Sequence, residues 1–155
     1  MAKGIKCLWV GKLKSGFFRE ASRYYSRLIE KNFRLQESEL RGAPSHLHPE
    51  ERRERESSEL SKRIDPGEQL ICLDKEGSQP DSREFARLLQ QWLESAYTPC
   101  FVLGGAYGVS RDLLSSASFC LSLSRMTLPH ELCRVVFLEQ LYRAITIIKG
   151  HPYHH

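Results

Sequence analysis

Four short apolar runs, at residues 5–10, 70–74, 100–103 and 119–123, constrain this chain more than any other feature. Each is too short for a helix, and each is followed by a segment of helical periodicity or of helix-forming composition. Runs of this length between helical segments read as buried strands joined by crossovers, which predicts an α/β fold with a largely parallel sheet. A fifth and more polar strand is expected at 33–40. At 155 residues the chain suits one domain, expected to span 1–155.

The helices between these strands carry readable ends. Residues 17–31, FFREASRYYSRLIEK, place Phe17, Phe18, Ala21, Tyr24, Tyr25, Leu28 and Ile29 along one side, with Arg19, Arg23 and Arg27 on the other. Residues 50–63, EERRERESSELSKR, give a mixed-charge helix with a broad exposed face. Asp81 followed by Glu84 reads as a capping box for a helix reaching about residue 96. A short helix is expected at 110–117. A last helix at about 130–149 stops at Gly150, with Pro152 just beyond. Pro129 is expected in the first turn of that helix.

Charge is unevenly distributed. Residues 1–35 hold nine lysines and arginines against two glutamates, a local +7, so the rest of a chain of net charge +4 carries −3. Arginines at i, i+4 and i+8 repel one another by about 0.2–0.5 kcal/mol per pair, which an external polyanion would relieve. Lys12, Lys14, Arg19, Arg23 and Arg27 are therefore candidate phosphate contacts. The last helix is apolar around much of its circumference. Cys133, Phe137, Leu141, Ala144, Ile145 and Ile148 form one side, and Leu132, Val135, Val136, Tyr142 and Ile147 extend onto the other. The sheet covers one side, and a second copy of the chain is the simplest cover for the other, so a homodimer is expected.

Several chemistries find no support in the pattern. There is no Walker lysine motif, GxSxG elbow, HExxH helix or GxGxxG fingerprint. The five cysteines are dispersed without ligand spacing and read as small buried hydrophobes, and His46 and His48 as exposed loop residues, so no metal is expected. No segment has the length and polarity of a membrane span or a secretory signal, which gives a cytoplasmic expectation. In an open parallel sheet, ligands bind beyond the carboxyl ends of the strands. The ends at Leu73-Asp74, Gly104-Gly105 and the Ser/Thr-containing connector 123–128 are the candidate site.

The stretches FVLGGAYGVS, LSLSRMTLPHELCRVV, EQLYRAITI and HPYH, with VGKLK near the start, resemble the SPOUT-class RNA methyltransferases. More narrowly, the resemblance is to the ribosomal large subunit methyltransferase H family, which methylates N3 of a pseudouridine in large-subunit (23S) ribosomal RNA. It spans nearly the whole chain, residues 42–65 being the least similar. It implies a C-terminal trefoil knot, S-adenosylmethionine as methyl donor, a homodimer, and the assembled ribosome as substrate. It also implies that Leu73, Gly104, Leu123, Ser124, Arg125, Met126, Thr127 and Leu128 hold the donor, with Leu73 and Met126 bracketing its base. The tail of one subunit would close over its partner's site, making Tyr153 and His154 candidates to receive the N3 proton. Position 155 departs from the resemblance, holding His where Arg or Lys is common. Methylation of another RNA such as tRNA, or RNA binding without catalysis, are the alternatives; a Rossmann-type oxidoreductase is disfavoured by the missing glycine fingerprint.

Overall fold

A computed structural model describes residues 4–154, so residues 1–3, Lys3 among them, and His155 lie outside the described residues. Ten elements alternate in type: β1 Gly4–Val10, α1 Gly16–Glu30, β2 Arg34–Leu40, α2 Pro49–Ser61, β3 Glu68–Ser78, α3 Ser82–Glu94, β4 Thr98–Leu103, α4 Arg111–Ser116, β5 Phe119–Leu121 and α5 His130–Lys149. The five strands form one sheet in the order β2-β1-β4-β3-β5, and every pairing is parallel. β1 sits between β2 and β4, so its residues Lys6–Trp9 face partners more than ninety positions away on β4.

Because side chains alternate across a strand, each strand feeds two cores. Ile5, Cys7 and Trp9 of β1, Ile71 and Leu73 of β3 and Phe101 of β4 meet α1, α3 and α5 on one face. Leu8, Val10, Leu70, Cys72, Cys100 and Val102 meet Leu60 of α2 and Leu113 of α4 on the other. The first core is aromatic: Phe101 lies 4.8 Å from Phe137, and Trp9 meets Phe137 edge-on at 6.0 Å. Near the amino edge of the sheet Lys6, only 6% exposed, donates to Glu68 at 2.9 Å and to the Arg63 carbonyl at 2.5 Å. Burial opposes its charge, but the Glu68 hydrogen bond and carboxylate, helped by Asp65, outweigh this and raise its pKa.

Several boundaries differ from expectation for identifiable reasons. β3 continues past Asp74 to Ser78 because the Ser78 carbonyl accepts from Ser122 N–H at 2.8 Å, beyond a break in register. Gly77 makes that crossing possible, since a Cβ there would lie 2.5 Å from the Cys120 carbonyl oxygen. β5 is shorter than expected, ending at Leu121, where Ser122 turns to bond Gln79 and the Ser124 carbonyl. Pro129 is the N-cap of α5, one residue earlier than expected, with ψ at 143°. At the other end Gly150 closes the helix with φ +69°, as its sequence signal requires.

In α1 the expected apolar side is only partly the buried one: Ile29 lies in the core and Tyr25 packs against it. Phe17 and Tyr24 are exposed, at 67% and 57%, while Ser22, Ser26 and Ile29 are buried. Ser26 donates to Glu37 at 2.7 Å, and Glu37 also receives the Trp9 indole N–H at 3.0 Å. That polar seam draws Ser26 inward. α3 begins with the expected capping box, Glu84 N–H on Asp81 at 2.8 Å and Asp81 N–H on Glu84 at 2.7 Å. It ends at Glu94, two residues early, where the Ser95 hydroxyl turns back to the Trp92 carbonyl.

Candidate active site

Across the carboxyl ends of β3, β4 and β5 lies a cavity of about 550 Å³, the size range of small-molecule sites. Three segments build it. From β3 come Leu73, Asp74 and Lys75; from β4 and its loop, Leu103 to Gly108; from the connector into α5, Leu121, Leu123, Ser124 and Met126 to His130, with Cys133 beneath. The walls are mainly aliphatic and the floor is backbone, a combination suited to a flat apolar ring carrying a few polar groups.

Each segment is held for a local reason. The glycine loop closes on itself: Gly108 N–H bonds the Gly105 carbonyl at 3.0 Å, and Gly108 has a φ of +75° that favours glycine. Gly104 has no room for a side chain, because a Cβ would sit 2.6 Å from the Gly108 carbonyl oxygen. The connector is shaped by serines. Ser122 donates to the Ser124 carbonyl at 3.1 Å, and the Ser124 hydroxyl accepts from Met126 N–H at 2.9 Å, an ST-turn in place of a glycine turn.

Of the eight residues expected to hold the donor, seven line the cavity; Arg125 is exposed and does not. The intervening serine turn directs it outward. Leu73 is buried in the wall, whereas Met126 stands 78% exposed at the mouth. Sequence reasoning missed Lys75, Tyr107, His130 and Cys133, which flank the expected positions and carry no motif of their own. Burial pushes the Cys133 thiol up to about 11, so at neutral pH it is a neutral wall residue and not a nucleophile.

Tyr153 and His154 do not line this cavity. The tail folds back along α5 of its own chain, where the Tyr153 hydroxyl donates to Glu139 at 3.0 Å. Its ring packs on Tyr142 at 4.8 Å and beneath the Arg143 guanidinium at 5.0 Å. Burial, and then the Glu139 hydrogen bond, raise the Tyr153 pKa, which keeps the phenol neutral. His154 Nδ1 is buried without a hydrogen-bond partner.

The basic stripe lies outside the lining of this cavity. Arg19, Arg23 and Arg27 are all exposed on α1, and Arg19 and Arg23 with Lys12 border a second, polar cleft. Arg27 lies one turn further from it. Arg19 is partly committed to structure, donating to the Leu13 and Lys14 carbonyls at 3.0 and 2.9 Å. At the base of the cleft Arg134, 4% exposed, joins Glu39 at 2.5 Å and the Gly11 carbonyl at 2.7 Å, with Trp9 beneath it at 5.1 Å. From the first turn of α5, Glu131 accepts the N–H groups of Lys14 and Ser15. Desolvation opposes its charge, but those two donors prevail and lower its pKa.

Elsewhere, His46 and His48 are exposed, and His48 caps α2 by accepting Glu50 N–H at 3.4 Å. Among the described residues no group of three or more His, Cys, Asp or Glu could hold a metal ion, and no helix is long and apolar enough to cross a membrane.

An open parallel α/β sheet with a cavity over its carboxyl edge, lined by a glycine loop and a knuckle-like connector, defines a protein built to hold a small organic ligand. Comparison with known proteins specifies the class. A family model described as "Predicted SPOUT methyltransferase" matches residues 4–154. The chain belongs to the SPOUT methyltransferase family. It is similar to proteins named "Ribosomal RNA large subunit methyltransferase H": 44% identical over 97% of both chains in Maridesulfovibrio salexigens, and 40% identical over 97% of both in Nitratidesulfovibrio vulgaris. The fold recurs at 12% identity and a TM-score of 0.59 in a probable methylase family protein from Haemophilus influenzae Rd KW20, covering all of this chain and 72% of that one. A probable methyltransferase from Bordetella pertussis Tohama I, also 12% identical, has a TM-score of 0.57 over 92% of this chain and 96% of that one. The all-parallel α/β sheet is consistent with the fold of this family.

Proposed function

We propose that this protein methylates N3 of a pseudouridine in large-subunit ribosomal RNA, using S-adenosylmethionine and acting as a homodimer on the assembled ribosome in the cytoplasm. The observation that carries the reading is the convergence of Leu73, Gly104, Leu123, Ser124 and Met126–Leu128 on one cavity. The names of full-length relatives support ribosomal RNA as the substrate. When bound, S-adenosylmethionine supplies an electrophilic methyl group on a sulfonium.

The residues present fit that group. The aliphatic walls of Leu73, Leu103, Leu123 and Leu128 suit an adenine face, and the bare backbone of the glycine loop and serine turn offers N–H and C=O partners to its edge and ribose. Positive charge disperses in an in-line methyl transfer, so an apolar pocket is compatible with the reaction. What the chain contributes is alignment, an effect that can reach about 7–11 kcal/mol when both partners are held. Lys12, Arg19 and Arg23 beside the cleft then anchor RNA phosphates, leaving the base to reach the mouth at Met126.

The dimer supplies what one chain lacks at its cavity. Leu132, Val135 and Val136 are only half-buried on α5 and stand outside the core cluster, an apolar strip that a second copy would cover. Crossing that interface brings the tail to the partner's cavity, where His154 or a water held by Tyr153 receives the N3 proton. The test is methyl transfer from labelled S-adenosylmethionine to ribosomes isolated from cells lacking the protein, with the modified nucleotide mapped. Label in pseudouridine of the large-subunit RNA is expected. Label in tRNA instead, or donor binding without transfer, would replace this reading.

A further inference from the structure

α2 looks from its sequence like a solvated helix, yet it carries a carboxylate into the interior. Glu56 is 5% exposed. Its Oε2 accepts Ala43 N–H at 2.9 Å, and its Oε1 lies 2.8 Å from where a Cβ on Gly105 would stand. Gly105 lines the cavity, so the absent side chain at that position lets a carboxylate approach the back of the ligand site. None of the ion pairs among the described residues includes Glu56, although it also borders a separate surface cleft with Arg41 and Arg55. The helix grips the same loop at two further points. Ser57 Oγ accepts Ser110 N–H at 2.8 Å, and the Arg52 guanidinium lies over the Tyr107 ring at 5.2 Å.

A buried carboxylate held by no direct ion pair is costly to a fold, and it is retained where it serves a site. We propose that Glu56, seated behind Gly105, makes the cavity select a cationic ligand over its neutral counterpart: the sulfonium of the methyl donor over the thioether product. The inference rests on the assignment of the cavity to S-adenosylmethionine. The other charged groups lining the cavity, half-buried Asp74 and exposed Lys75, are adjacent and opposite in sign, so their fields largely cancel. Glu56 is out of water, so its field reaches further into the site. Selecting the charged form favours release of the neutral product after each transfer.

The test is calorimetric titration of the full chain with S-adenosylmethionine and, separately, S-adenosylhomocysteine. Glu56→Gln keeps an acceptor for Ala43 and removes the charge. It is expected to weaken the sulfonium ligand about fivefold, an effect of roughly one unit charge in a partly screened medium, and leave the thioether unchanged. Should that variant fail to fold, Gly105→Ala serves: its Cβ meets Oε1 at 2.8 Å and Val10 Cγ1 at 3.3 Å, so it displaces the carboxylate from behind the loop. It is expected to lower the same ratio. Equal weakening of both ligands would make Glu56 a structural support and overturn the inference. Failure of the unmodified protein to bind either ligand would instead overturn the cofactor assignment itself.

Discussion

Arg134→Met removes a buried charge that ties α5 to the ends of β1 and β2, and its cost can be worked from contacts. The stem of Met fills most of the same channel, so little packing is lost. The hydrogen bond to the Gly11 carbonyl, at 2.7 Å from a donor 4% exposed, is charge-assisted and worth about 1.5–3 kcal/mol. The guanidinium over Trp9 at 5.1 Å adds about 0.5–2 kcal/mol. Glu39 is different: its side chain is 43% exposed and regains water when its partner leaves, so the ion pair counts for less than a buried one. A loss of about 3 kcal/mol follows. In a chain of 155 residues an unfolding entropy of about 2 cal/mol/K per residue converts this to a fall of roughly 9 °C in Tm. Urea denaturation followed by tryptophan fluorescence measures it directly, because Trp9 is the ring beneath the guanidinium. A loss below about 1 kcal/mol would mean that Gly11 and Glu39 find other partners at no cost, and the strap would have no energetic standing.

Gly104→Ala is expected to weaken S-adenosylmethionine binding at least tenfold, since its Cβ at 2.6 Å from a backbone oxygen forces the loop open; calorimetry with unchanged affinity would refute it. Replacing Arg19 and Arg23 by Gln is expected to flatten the slope of log affinity for ribosomal RNA against log salt by nearly two, read by filter binding. An unchanged slope would return both residues to ordinary surface. Lys6→Met is expected to cost stability at pH 8 and to cost progressively less as pH rises past 10.5, because a raised folded-state pKa gives stability that is complete below the unfolded value and is lost above the folded one. Paired denaturation curves at pH 8 and pH 11 decide it, and a constant difference would contradict the sign.

Much of the fold was legible because its signals are local. Asp81 and Glu84 lie three residues apart and cap one helix; Gly150 ends another; four strands announce themselves as apolar runs. What escaped depends on partners distant in sequence. Ser26 turns inward to bond Glu37, a reason that helical periodicity cannot contain, and counting aromatic residues therefore misplaced Phe17 and Tyr24. Polar Lys75 and Glu76 read as loop, yet the strand runs through them because residues 120–122 pass alongside. At the cavity, the connector and glycine loop were recognisable from their unusual composition. Glu56 was hidden in a run of charges, and only its position behind Gly105 distinguishes it from its exposed neighbours.

The central place of β1 has a consequence for biosynthesis. Its Leu8 and Trp9 find one neighbour in β2 soon after emerging, but the other, on β4, is made roughly 5–20 s later at ordinary translation speeds. During that interval the nascent chain displays a bare, greasy edge open to misplaced strand pairing, long before any cavity exists to be filled.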